Sequence, residues 1–166
     1  RDRSPSRGLG DVYKRQDVVG RVAADTAARL PTMAVGFVDL VGFTRLSAST
    51  DPEGVGAVLT AFEELASHTA EAVGEVLLAK TIGDAVLFVG GSPDRVSWAL
   101  LRTVEAEPDA LVDVQRRAGM AYGEVLVREG DYVGTTVNTA ARLTDLARPG
   151  TLVTTCLLYT SDAADE

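Results

Sequence analysis

Four charged side chains and one amide occur in this chain where their chemistry could be used. Asp39 and Asp84 each lie within or beside an apolar run of strand length, where charged residues are rare unless they are paired or functional. Carboxylates on neighbouring strands offer the oxygen ligands that hard divalent cations prefer. Asn138 and Arg142 are four residues apart, so both would project from one face of a helix. With Lys80, these residue types indicate metal-assisted chemistry on a phosphate.

Lys80 and Asp84 lie in a run that is predicted to be a β-hairpin, residues 77–89. The dipeptide Gly83-Asp84 separates two β-prone segments, and both residue types suit tight turns. Lys80 is the single lysine between residues 17 and 155, against ten arginines, which indicates that a compact ammonium group is used there. Taken alone, the run is equally consistent with an edge hairpin whose charges are solvated.

Asp39 lies near the end of a nearly continuous apolar run, Met33–Val41, which is typical of a central strand buried on both faces. Ligands commonly bind at such strand ends in α/β sheets. The following Gly42-Phe43-Thr44 leads into a helix and offers backbone N–H groups for a phosphate. The segment therefore predicts a metal and phosphate site, with the alternative that Asp39 only caps the next turn.

Both ends of the chain have the form of translated adaptor DNA rather than of a protein domain. Residues 11–16 and 156–160 back-translate to complementary DNA, which unrelated protein ends should not do. They match a transposase sequencing adaptor, of which Arg7–Gly10 and Ser161–Glu166 are the outer parts. Residues 1–16 and 156–166 are therefore excluded, and we expect residues 17–155 to be a partial domain, truncated at its C-terminus.

Composition limits the function of the segment 17–155. The excluded ends carry equal numbers of acidic and basic residues, so the net charge of −8 belongs to the segment itself. An acidic domain without a basic stripe argues against binding to nucleic acid or to an anionic membrane. The single cysteine, Cys156, is in an excluded end, so disulfide and thiol chemistry are not expected. Since no apolar run approaches about 20 residues, we expect a cytoplasmic domain, which leaves room for an upstream regulatory or membrane module in the parent protein.

Hydrophobic spacing and capping residues predict an alternation of helices and strands. Asp51-Pro52-Glu53 and Ser92-Pro93-Asp94 each have the form of a helix start. The order of elements predicts an α/β (α+β) fold, with a ferredoxin-like βαββαβ core, an antiparallel sheet, helices on one face, and one added helix and strand. The predicted helices are 17–30, 51–74, 92–105 and 137–146, and the predicted strands are 33–41, the hairpin 75–90, 116–122 continued by 125–127, and 151–155.

Three segments together resemble one protein family. Phe37–Thr44, Lys80–Ala85 and Gly130–Leu143 are closely similar to motifs of the class III nucleotidyl cyclase catalytic domain, in the same order and spacing. The resemblance covers almost all of residues 17–155 and implies the nucleotide cyclase fold. Members of that family continue past this point with a basic residue that contacts the triphosphate, so we expect the truncated fragment to be impaired in turnover.

The resemblance implies a role for each matching residue. Asp39 and Asp84, with the backbone carbonyl of Leu40, would hold two Mg²⁺ or Mn²⁺ ions per site. Lys80 and Asp131 would read the purine, and this pair implies ATP rather than GTP as the substrate.

The remaining matches complete a site that is shared between two chains. Asn138 is implied to orient the ribose and Arg142 to stabilise the transition state, while Gly42, Phe43 and Thr44 contact the substrate. In the family the metal-binding carboxylates come from one protomer and the purine, ribose and transition-state groups from its partner, so a homodimer is implied.

The activity implied is that of an adenylate cyclase, which converts ATP to 3′,5′-cyclic AMP and pyrophosphate. A catalytically inactive nucleotide-binding relative and a guanylate cyclase remain as alternatives. A diguanylate cyclase is disfavoured because the Gly-Gly-Asp/Glu-Glu-Phe signature is absent from the sequence. An acidic α/β interaction domain is the alternative of a different class.

Overall fold

The computed structural model describes residues 30–155, which form two sheets and four α-helices. The predicted helix 17–30 lies outside the described residues except for Leu30, as do both predicted adaptor ends. A short 3₁₀ turn, Asp109–Leu111, lies within residues 106–115. In chain order the elements are β1 (Thr32–Leu40), α1 (Phe43–Ser49), α2 (Pro52–Val73), β2 (Val76–Ile82), β3 (Ala85–Gly90), α3 (Pro93–Glu105), β4 (Arg116–Glu124), β5 (Leu126–Arg128), β6 (Asp131–Val133), α4 (Thr135–Leu146) and β7 (Leu152–Thr154).

The main sheet has the strand order β2-β3-β1-β4-β7. Its first four strands pair antiparallel throughout, which is the arrangement of the ferredoxin-like βαββαβ unit and confirms the predicted fold class. The added strand β7 pairs parallel to β4, so the sheet is antiparallel only within the core unit. This order places β1, which carries Asp39, at the centre of the sheet.

The helix starts predicted from capping residues are confirmed. The Asp51 carboxylate accepts a hydrogen bond of 2.7 Å from the Gly54 N–H, which satisfies one of the unpaired donors at the start of α2. Gly74 ends the same helix with a φ of +71°, a conformation that glycine adopts without strain. Ser92 caps α3 in the same way as Asp51 caps α2.

One face of the sheet packs against α2 and α3, as predicted for the core unit. Leu100 is fully buried, and its methyl groups fill the space where a side chain at Gly36 would lie. Leu101, the next residue of α3, is only partly buried. The buried residues of this face are contributed by three strands and both helices: Ala34, Val38, Leu40, Phe62, Ala66, Ala70, Val86, Phe88, Val96, Ala99, Leu100, Val104, Ala118 and Met120, with Leu111 and Val114 beyond α3.

The opposite face packs against α4 and a small hairpin formed by β5 and β6. The backbone of α4 approaches β4 so closely at Gly119 that a Cβ there would overlap Thr144. The prediction that residues 125–127 continue the strand 116–122 is wrong. Instead β4 runs on to Glu124, and β5 pairs with β6 as a separate antiparallel ribbon. The Val125 N–H donates to the Pro31 carbonyl, one position beyond the Thr32–Glu124 pair, so β5 begins where the pairing of β4 with β1 ends.

We predict that Leu100→Ala destabilises the domain by about 2–5 kcal/mol, because the methyl groups over Gly36 would be replaced by a cavity. Chemical denaturation followed by circular dichroism measures the free energy of unfolding. Leu101→Ala is the matched control on the same helix and should cost roughly 1 kcal/mol or less, since that side chain is only partly buried. Equal losses for the two variants would contradict the packing described here.

Candidate active site

Asp39 and Asp84 lie side by side at one end of the β1–β3 pair. Asp39 pairs with Ala85 in the strand register, and the Leu40 N–H donates a 3.1 Å hydrogen bond to the Asp84 carbonyl oxygen. The pKa of the Asp39 carboxyl is raised, chiefly by burial and further by the negative charge of Asp84. The two carboxyl groups therefore interact directly, and the tight turn between β2 and β3 brings Asp84 to the buried strand end.

Arg117, which the sequence analysis did not single out, is the counter-ion of Asp39. Its Nε and Nη2 atoms donate to the Asp39 Oδ2 atom at 3.2 and 2.9 Å. Arg117 is also the register partner of Asp39 on β4. Opposite charges at directly paired positions attract across a sheet, so a correct register assignment would have found this residue. The guanidinium lowers the pKa of Asp39 and partly offsets burial.

The same guanidinium reaches α4 through Asp145. The Arg117 Nη1 atom donates to the Asp145 backbone carbonyl at 2.8 Å, and Nη2 lies 3.6 Å from the Asp145 Oδ1 atom. Arg117 thus joins the strand end that carries Asp39 to the last turn of the helix that carries Asn138 and Arg142.

The donor set at this strand end fits a hard divalent cation. Two carboxylates are held close enough for Asp84 to raise the pKa of Asp39, and a cation between them would remove that repulsion. The Leu40 carbonyl belongs to the residue that is hydrogen-bonded to Asp84. Among residues 30–155 no cluster of three or more His, Cys, Asp or Glu side chains could hold a metal. Further ligands for an ion would therefore come from backbone, water or substrate phosphate, which is the usual way in which Mg²⁺ is bound.

Lys80 and Asp131 form a second charged pair, 51 residues apart in sequence. The Lys80 Nζ atom lies 2.5 Å from the Asp131 Oδ1 atom, which also accepts a 3.0 Å hydrogen bond from the Tyr132 N–H. The hydrogen bond from Lys80 is the main cause of the lowered pKa of Asp131. Lys80 follows a bulge in β2 and pairs with Leu87. It therefore lies on the face of the sheet that packs against α4, which is also the face on which Asp39 lies.

Asn138 and Arg142 are exposed on the outer side of α4. Ala140 and Thr144 on the same helix are buried toward the sheet. Within the described residues, neither Asn138 nor Arg142 forms a side-chain hydrogen bond or ion pair with another residue of the chain. One chain therefore brings together Asp39 with Asp84, and Lys80 with Asp131, but presents Asn138 and Arg142 to the outside.

Gly42, Phe43 and Thr44 form the turn between β1 and α1. Gly42 has a φ of +73°, a left-handed conformation that suits glycine, and it occupies the N-cap position of α1. Phe43 packs against the core on the α2 side of the sheet, whereas Thr44 is exposed. The Arg45 and Leu46 N–H groups donate to the Gly42 carbonyl, whereas the Phe43 and Thr44 N–H groups precede these first helical bonds and can donate to an anion near Asp39.

Comparison with known proteins gives a consistent result. A family profile described as "Adenylate and Guanylate cyclase catalytic domain" matches residues 26–160. An uncharacterised protein of Mycobacterium tuberculosis is 40% identical over 132 residues, which are 80% of this chain and 34% of that protein. An adenylate cyclase of Streptomyces coelicolor is 40% identical over 136 residues, 79% of this chain and 35% of its own length. The chain thus spans about a third of the length of these relatives.

A solved structure extends this likeness to the fold. The catalytic core of a rhodopsin–guanylyl cyclase with converted specificity, in complex with ATPαS, superposes with a TM-score of 0.71 and 28% sequence identity. The superposition covers 81% of this chain and 83% of that one.

Within residues 30–155, the helices are all too short or too polar to cross a membrane.

We predict that Lys80→Gln raises the pKa of Asp131 toward its ordinary value, because the charged hydrogen bond that lowers it is lost. The Tyr132 N–H remains, so part of the lowering should persist. Carboxyl chemical shifts in an NMR titration report this pKa directly. In the chain without this substitution, the contribution of the Asp131 carboxylate to the free energy of unfolding is present above pH 3.8 and is lost as the pH falls through its lowered pKa. Arg95→Gln, at a separate surface ion pair, should leave the titration unchanged, and an unchanged pKa in Lys80→Gln would contradict the pairing.

Proposed function

Because the chain belongs to the family of adenylate and guanylate cyclase catalytic domains, we propose that it converts ATP to 3′,5′-cyclic AMP and pyrophosphate. The observation that carries the choice of ATP is the ion pair between Lys80 and Asp131. Relatives named adenylate cyclase that are 40–42% identical to this chain support the same choice.

Adenine presents to a protein one acceptor, N1, beside one donor group, the N6 amine. A lysine ammonium donates to N1, and an aspartate carboxylate accepts from N6. Guanine presents the opposite order on this edge, so its O6 and N1–H would leave the same two side chains mismatched. An unpaired polar group in a site costs about 1–3 kcal/mol, which is enough to select between the two purines.

Asp39, Asp84 and the Leu40 carbonyl would hold two Mg²⁺ or Mn²⁺ ions. When bound, such ions lower the pKa of the ribose 3′-hydroxyl and neutralise charge on the leaving pyrophosphate. The protein's own part is to hold the two carboxyl groups adjacent at the end of the β1–β3 pair. The β1–β3 register fixes their separation, and Arg117 offsets part of the repulsion between them.

Asn138 and Arg142 would act on the ribose and on the α-phosphate. The amide of Asn138 can orient the ribose so that its 3′-oxygen faces the α-phosphorus. The Arg142 guanidinium, one turn further along α4, can donate to a phosphoryl oxygen on which negative charge develops. The turn Gly42-Phe43-Thr44 would contribute N–H groups to the phosphates.

We further propose a homodimer with two shared sites. Asn138 and Arg142 face away from the sheet of their own chain, so they are available to a second chain. Large apolar side chains are also exposed at the hairpin tip, on the β5–β6 ribbon and at the end of α4: Ile82, Leu126, Val133 and Leu146. In this arrangement Asp39 and Asp84 serve one site, while Lys80, Asp131, Asn138 and Arg142 of the same chain serve the other.

We predict that Asp39→Asn and Arg142→Ala each abolish cyclic AMP formation and that co-expression restores part of it. A heterodimer of the two variants holds one site with both side chains intact and one site that lacks both. Random assortment should therefore give about one quarter of the wild-type activity. Cyclic AMP is measured with Mn²⁺ and ATP in the parent protein. The double variant Asp39→Asn/Arg142→Ala co-expressed with either single variant is the control and should stay inactive, and absence of rescue in the mixture would refute the shared site.

We predict that Lys80→Glu lowers kcat/KM for ATP by about 10- to 100-fold and removes the preference for ATP over GTP, because the donor to N1 is replaced by an acceptor. Rates with both nucleotides are compared under the same conditions. Arg95→Glu makes the same charge change at an exposed ion pair and should leave both rates unchanged. A variant that keeps its ATP preference would place purine recognition elsewhere.

A further inference from the structure

We propose that Arg117 is an internal counter-ion, which holds Asp39 in the metal-free chain and competes with the divalent cation for that carboxylate. This inference rests on the proposed function, because it takes Asp39 as a metal ligand. It assigns to Arg117 the role of a positioning residue that sets the affinity for the cation.

The Arg117 guanidinium is bound to the Asp39 oxygen that a metal ion would also use. Both Nε and Nη2 of Arg117 donate to one oxygen, Oδ2 of Asp39, at 3.2 and 2.9 Å. The Asp39 side chain is 18% exposed and that of Arg117 is 26% exposed, so water screens the pair only in part. A cation that binds Asp39 must either displace the guanidinium from this oxygen or lie beside its positive charge.

Asp145 offers the guanidinium a second acceptor within reach. The Arg117 Nη2 atom that contacts Asp39 is also 3.6 Å from the Asp145 Oδ1 atom. The Nη1 atom is already anchored on the Asp145 backbone carbonyl at 2.8 Å. Arg117 can therefore shift from one carboxylate to the other while that anchor stays in place, and it does not have to be released into water.

The local charge favours exchange of the arginine for a divalent ion. The Arg117 guanidinium contacts the carboxylates of Asp39 and Asp145, and Asp84 adds a third negative charge beside Asp39, so the cluster is left with excess negative charge. A divalent cation between Asp39 and Asp84 supplies the missing charge, and Arg117 then neutralises Asp145. Since Asp145 lies three residues after Arg142 on α4, this exchange links cation binding in one site to the helix that serves the other.

The test is direct binding of Mn²⁺, measured by electron paramagnetic resonance on the full chain without nucleotide. Arg117→Gln should bind Mn²⁺ about two- to fivefold more tightly than wild type, because a partly exposed competing charge is removed. Arg117→Lys keeps the charge and should bind more weakly than Arg117→Gln. Arg95→Gln changes the net charge equally at a distant ion pair and should bind as wild type does. Circular dichroism spectra confirm that each variant is folded.

Asp145→Asn tests the second acceptor. With this acceptor gone, Arg117 has no alternative carboxylate, so Mn²⁺ should bind about two- to fivefold more weakly than in wild type. In the Arg117→Gln background the same substitution should have little effect, and equal effects in both backgrounds would overturn the exchange between the two carboxylates.

The outcomes separate this inference from the function on which it rests. Weaker or unchanged Mn²⁺ binding in Arg117→Gln would show that the arginine orients Asp39 rather than competing for it, and would overturn the inference alone. Unchanged binding in Asp39→Asn would show that the cation does not use this carboxylate, and would overturn the metal assignment of the proposed function as well.

Discussion

Electrostatic repulsion between the carboxylates of Asp39 and Asp84 is the constraint around which this end of the molecule is arranged. The antiparallel register of β1 and β3 forces the two side chains together, and burial makes the charge on Asp39 more costly. A chain with only a stable fold to maintain would gain by replacing either residue with a neutral one. Here the charge is partly offset by Arg117 instead, so the site keeps its anionic character.

Much of the fold could be predicted because local signals and the final architecture agree. Asp51 and Ser92 predicted the starts of α2 and α3, and both side chains form the N-terminal capping hydrogen bonds that these residue types favour. The Gly83-Asp84 turn predicted the β2–β3 hairpin, and the order of elements was sufficient to identify the βαββαβ core. Lys80 and Asp131, far apart in sequence, were first linked only by a family resemblance, since no local pattern connects residues on separate strands.

What the sequence could not supply was the register and the direction of individual side chains. Arg116 and Arg117 are adjacent and chemically identical, yet they lie on opposite faces of β4. Arg116 is buried and donates to the Val104 and Ala106 carbonyls at the end of α3, whereas Arg117 serves Asp39. Only a known strand pairing distinguishes the two. The separate ribbon of β5 and β6 was missed for a related reason, because only the strand pairing shows that Leu126–Arg128 leaves β1 and pairs with Asp131–Val133.

The close approach of α4 to β4 at Gly119 makes the two layers of the protein unequal in their tolerance of sequence change. On the α2–α3 layer, aliphatic side chains mediate the contact, so neighbouring substitutions can compensate for one another. On the α4 layer, the helix backbone at Thr144 lies directly against Gly119, with only a glycine hydrogen atom between them. Because the contact is with backbone, no substitution by a smaller side chain can make room there. Amino-acid substitutions should therefore accumulate in the interface between the sheet and α2–α3. The distance between α4 and the sheet should stay almost constant.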